Sequence, residues 1–84
     1  MVVNYKGFSK DYDYRMAEIN FDEDKELAKM ERIIKVMEIQ GYEINIPVEG
    51  YALCEVENKD DYKSFMYEFK KAKKAVALWE KFGM

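Results

Sequence analysis

The 84-residue sequence contains no histidine, no threonine, one cysteine, one proline and two serines, Ser9 and Ser64. Without histidine the commonest general acid–base is missing. One cysteine rules out an internal disulfide, leaves no Cys/His zinc spacing and points to a reducing compartment. The four glycines are scattered along the chain, so no glycine-rich phosphate loop can form. Apolar runs extend only a few residues, and neither a transmembrane span nor a signal-peptide core is expected. Arginine, the preferred bidentate reader of phosphate and guanine, occurs only at Arg15 and Arg32, against twelve lysines. That bias fits a low-GC bacterial or viral coding sequence.

What is abundant points to a folded chain. Hydrophobic residues make up 49%, charged residues 37% and aromatics 15%, including seven tyrosines. These proportions argue against disorder. The length suits one domain over residues 1–84, with a single small core. A net charge of −3 gives the protein as a whole no attraction for nucleic acid. The expected setting is cytoplasmic, with no membrane partner.

The stretch 42–58, YEINIPVEGYALCEVEN, organises the rest. Tyr42, Ile44 and Ile46 alternate with Glu43, Asn45 and Pro47; Ala52, Cys54 and Val56 alternate with Leu53, Glu55 and Glu57. Period-two alternation on both sides of Gly50 predicts a β-hairpin. A three-residue loop, Val48-Glu49-Gly50, pairs Ile46 with Ala52, Ile44 with Cys54 and Tyr42 with Val56, which gathers six apolar residues on one face. Pro47 cannot donate to a ladder, so the first arm is expected at a sheet edge. In this register Pro47, Tyr51 and Leu53 fall on the other face.

Residues 1–8 and 12–20 read as two further strands, although neither face of the second is cleanly apolar. A helix is expected from Asn20 or Asp22 to Gly41. Either residue suits the N-cap, acidic residues fill the first turn, and Leu27, Met30, Ile33, Ile34 and Met37 recur at helical spacing. Glu31 and Lys35 form an i,i+4 pair. Asn58 caps a second helix, expected over 59–81, whose apolar stripe is Tyr62, Phe65, Met66, Phe69, Ala72, Val76 and Trp79. A weak repeat at a spacing of 37 sets Tyr14 and Glu18 against Tyr51 and Glu55. Together these elements predict an α+β, two-layer fold: an antiparallel sheet of three or four strands with both helices on one face, in the order ββαββα or βαββα.

Chemistry is sparse. Cys54 lacks an activating histidine and lies on the expected core face. A calcium loop beginning at Asp22 would need glycine and glutamate where Leu27 and Ile33 stand, so the match fails. No catalytic residue, metal site or cofactor is expected, and the chain does not read as an enzyme. The tyrosine excess favours a non-enzymatic binding protein acting by protein–protein contact, with Tyr5, Phe8, Tyr12, Tyr14, Tyr51 and Leu53 as candidate contacts. Small motif-free, lysine-rich and tyrosine-rich chains are typical of phages and mobile elements. There they block a host (defence) enzyme by covering its surface, and by that analogy an inhibitor is expected. One alternative is a nucleic-acid-binding module that uses a lysine line on the second helix, Lys63, Lys70, Lys74 and Lys81, with Tyr67 free to stack. Another is a structural homodimer joined through an edge strand at 42–48.

Overall fold

The computed structural model describes residues 1–6 and 15–82. Its elements run β1 (Val2–Lys6), β2 (Arg15–Asn20), α1 (Glu23–Ile39), β3 (Ile44–Val48), β4 (Tyr51–Val56) and α2 (Lys59–Phe82). The four strands form one antiparallel sheet in the order β1-β2-β4-β3. This is the expected α+β fold in its ββαββα order.

The helix ends follow from local chemistry. Asp22, not Asn20, caps α1: its carboxylate accepts from the backbone N–H of Asp24 (3.0 Å) and Lys25 (3.1 Å). The Glu26 carboxylate reaches back to accept the Asp22 N–H at 2.9 Å. That bond is the first cause of the depressed Glu26 pKa, with the positive charges of the Met1 amine and Lys29 adding to it. At the other end Gly41 takes φ +92°. The Gly41 N–H donates to the Glu38 carbonyl (2.9 Å) and the Tyr42 N–H to the Met37 carbonyl (3.0 Å). This Schellman closure aims the chain into β3. Asn58 caps α2 by accepting the Asp61 N–H at 2.8 Å. In return the Asp61 carboxylate accepts the Glu57 N–H at 2.9 Å. One helix-end donor and the N–H of the residue before the cap are thereby both satisfied.

The hairpin keeps the expected pairing of Ile44 with Cys54 but not the expected loop. Val48 pairs with Tyr51 across a two-residue turn, and the register shifts between Asn45 and Val48. Proline has no N–H for the ladder, so the surplus residue is absorbed beside Pro47 rather than in the turn. The apolar face survives this shift. Ile44, Ala52, Cys54 and Val56 are buried, with Ile46 and Tyr42 packed against them. β3 is an edge strand, as Pro47 suggested.

The core is a single cluster between the sheet and the two helices. Ala17, Ile19, Ala52, Cys54 and Val56 from the sheet meet Met30, Ile33 and Met37 of α1 and Phe65, Phe69, Ala72 and Val76 of α2. Phe65 stacks on Phe69, and Tyr42 meets Phe65 edge-on, both at 5.6 Å between ring centroids. Burying each phenylalanine contributes roughly 1.5–3 kcal/mol. Trp79 ends the apolar stripe by periodicity, yet 49% of its surface is exposed. The reason is length. α2 has 24 residues, against five and six in the hairpin strands. At about 1.5 Å of rise per residue, a helix of that length extends roughly 36 Å. Strands of that length span only about 20 Å. The last turn therefore runs past the core.

The 37-residue repeat coincides with a symmetric register. Ala17 pairs with Cys54, 37 positions later, and that spacing carries the pair Met16–Glu55 onto Leu53–Glu18. β2 and β4 are thus related by a local two-fold through Ala17 and Cys54.

Candidate interaction surfaces

Three surfaces carry polar or exposed groups arranged by the fold. The first is the side of the sheet on which, among the described residues, no helix packs. Strand alternation places Asn4 and Lys6, Met16 and Glu18, Tyr51 and Leu53, and Asn45 there. Glu18, in an inner strand, is 8% exposed. Its carboxylate accepts the Tyr51 hydroxyl and lies 3.7 Å from Lys6 Nζ. Met16 is buried on the same side. Burial on both sides of β2 is why its alternation has no cleanly apolar face.

The second surface is an open cleft of about 820 Å³ where β3, β4 and the start of α2 meet. Glu43, Glu55, Glu57 and Asp61 line it, and the Arg15 guanidinium donates to the Glu57 carbonyl at 3.0 Å. Burial, with Asp61, Glu55 and Glu43 adding negative charge, pushes the Cys54 thiol up to about 12. Tyr42 is also shifted up, by burial first and then by Asp61 and Glu68. A protonated thiol among carboxylates is a poor nucleophile at neutral pH. Among the described residues no three His, Cys, Asp or Glu groups are set to hold a metal ion.

The third surface is the outer side of α2. Lys63, Lys70, Lys74 and Lys81 are exposed. At helical spacing they form one row about 27 Å long. Beside it runs a second row of Tyr67, Leu78 and Phe82, exposed by 64%, 55% and 63%. Lys71 Nζ sits 5.3 Å from the Tyr67 ring centroid and 4.0 Å from Glu68 Oε2. Lys81 Nζ lies 5.9 Å from the Phe82 ring centroid. Charge is segregated accordingly. Residues 1–58 hold 13 acidic and 7 basic groups, while residues 59–84 hold 4 and 7.

The fold disperses the tyrosine candidates. Tyr51 and Leu53 share the helix-free side of the sheet, each partly buried. Tyr5 does not join them. It lies on the helix side, packed on the core and 4.9 Å from the Tyr62 ring, because the β1 register turns odd positions toward the helices. Burial also raises the Tyr62 pKa. Phe8, Tyr12 and Tyr14 lie outside the described residues. The alternative set, Lys63, Tyr67, Lys70, Lys74 and Lys81, does converge on one side of one helix. Sequence reasoning missed Phe82 and the exposure of Trp79; the signal available was the excess length of the second helical pattern over the strands. It also missed the cleft acids, which come from separate elements and share no periodicity.

No family model, no curated protein and no solved structure matches the chain.

Proposed function

We propose that this is a non-enzymatic binding protein that acts by contact with another protein. The observation supporting this reading is the row of Tyr67, Leu78 and Phe82 on the outer side of α2, each more than half exposed. Exposed large apolar groups recurring along one side of a helix can serve as separate anchors of a contact surface, and tyrosine is an efficient one. Tyr51 and Leu53 on the helix-free side of the sheet form a second, smaller contact. Size and composition extend the proposal to a phage or mobile-element inhibitor that covers a host defence enzyme. A single, buried, protonated cysteine suits action in a reducing cytoplasm.

The test is affinity capture with tagged protein from a nuclease-treated lysate of a low-GC bacterium, read by mass spectrometry. One dominant protein partner is expected. The triple substitution Tyr67→Ala, Leu78→Ala, Phe82→Ala should cut its recovery at least about tenfold, as loss of two or three anchors would. Substitution of Tyr51 and Leu53 should reduce recovery less. Full recovery with both sets of substitutions would sink the reading.

A second reading, a nucleic-acid-binding module, is favoured by one observation. Lys63, Lys70 and Lys74 are exposed in line and form no ion pair among the described residues. Such a row can track phosphates while Tyr67 stacks a base. Under that reading Lys70→Glu with Lys74→Glu abolishes binding to single-stranded DNA and removes its salt dependence. Under the protein-contact reading nuclease leaves the captured complex intact.

A further inference from the structure

An edge strand offers unpaired backbone N–H and C=O groups to any strand that comes alongside. The two edges of this sheet are not alike. β3 carries the exposed Pro47, and its register breaks between Asn45 and Val48. Both features blunt an edge. β1 has neither. Its five residues run in unbroken register along β2, from Val2↔Asn20 to Lys6↔Met16. Among the described residues no strand lies on its other side. Its one charged side chain, Lys6, is held by Glu18 at 3.7 Å.

We infer that β1 is a self-association edge and that its occupant is a second copy of this chain, paired antiparallel about Asn4. The edge expected at 42–48 is thereby exchanged for the opposite one, since the bulge at Pro47 spoils the first. Pairing about Asn4 sets Val3 opposite Tyr5 of the second copy, Val2 opposite Lys6, and Asn4 opposite itself. Each pair suits its position. Val3 and Tyr5 both face the helices, half-buried against the core. An aromatic–β-branched pair on each side of the axis therefore continues that core across the seam. Tyr62, packed on Tyr5 at 4.9 Å, adds apolar surface at the same seam. Val2, exposed in the single chain, gains the methylene stem of a lysine. No like charges face each other anywhere along the pairing.

The geometry has a functional consequence. Antiparallel pairing puts the two-fold axis perpendicular to the sheet, so both helix layers lie on the same side of an eight-stranded sheet. Two copies of the outer α2 surface are then presented together, and a partner with two sites is held bivalently.

Sedimentation equilibrium over a concentration series is the test. The mass is expected to climb from 10.1 kDa toward twice that value. The variant Val2→Lys with Asn4→Lys sets lysine against lysine at three pairs across the axis, while both positions remain exposed in the monomer. With three like-charge pairs facing across the seam, the dimer dissociation constant should rise on the order of tenfold or more, with unchanged circular dichroism. Nitroxide labels on Asn4→Cys should lie within roughly 20 Å of each other in the dimer, since directly opposed residues are about 5 Å apart at the backbone. A mass fixed at 10.1 kDa at every concentration overturns the proposal and leaves the edge to a strand of another protein. A dimer that ignores the two lysines, with distant labels, overturns it in favour of another surface.

Discussion

The Cys54 thiol faces the helices from β4 with 2% of its surface exposed, and burial among acidic neighbours lifts its pKa from the ordinary value of 9.0 to about 12. The native state therefore holds this proton over a range in which the unfolded chain has lost it. By linkage, stability from the buried, neutral thiol is complete below about pH 9 and is lost as pH climbs toward 12. Reaction with a thiol reagent at mildly alkaline pH should accordingly be slow in native protein and fast in denaturant; equal rates would mean that Cys54 is not sealed in the core. The strand pattern already placed Cys54 on the core face. Its acidic surroundings were hidden, because Glu43 and Asp61 reach it from other parts of the chain. Glu18 is a similar case. Alternation gave its strand no cleanly apolar face, and its partners Tyr51 and Lys6 depend on which strands are neighbours.

Among the elements, the hairpin turn does more than reverse the chain. The Gly50 carbonyl accepts the Phe21 N–H at 3.0 Å, and the Gly50 N–H donates to Glu23 Oε2 at 2.7 Å. The turn is thus tied to the β2–α1 junction. Gly50 has φ +73°, and a methyl group there would lie 3.0 Å from the Phe21 carbonyl oxygen. Gly41 has φ +92° but open space around it. Gly41→Ala should cost roughly 1 kcal/mol from the left-handed backbone alone. Gly50→Ala should cost more, since contact adds to conformation, and urea denaturation of the two variants would rank them. The reverse order would mean that the junction yields without cost. The helix cap at Asn58, the choice of Asn20 or Asp22 for the other cap and the stop at Gly41 were readable because capping is local: donor and acceptor lie within a few residues. The bulge beside Pro47 was not, because a bulge is a relation between two strands. The alternation showed the face and missed where the extra residue would go.

Taken as one body, the protein is an acidic sheet and α1 carrying a basic helix that outruns them. The longest dimension, 43 Å against 25 and 18 Å, reflects that mismatch. Trp79, the chain's single tryptophan, lies in the overhanging turns at 49% exposure and reports on them directly. Acrylamide should quench Trp79 in the native protein nearly as well as in the unfolded chain, with little change in emission maximum on denaturation. Strong protection in the native state would show that the end of α2 is covered, by a partner or by a second copy. No described helix is long and apolar enough to cross a membrane.

Local pattern was enough to read the element types, to narrow their order to ββαββα or βαββα and the first cap to Asn20 or Asp22, and to give the Asn58 cap and the single apolar face of the hairpin. Each of these depends on residues close together in the chain and on periods of 2.0 or 3.6 residues. Strand order, the pairing of Ala17 with Cys54, the burial of Glu18 and the shift of Tyr5 to the helix side were set only when the chain closed on itself. So was the difference between a blunted edge at β3 and the edge at β1, beside which no strand lies among the described residues. These depend on which elements become neighbours, and that follows from how the two halves meet around one shared core.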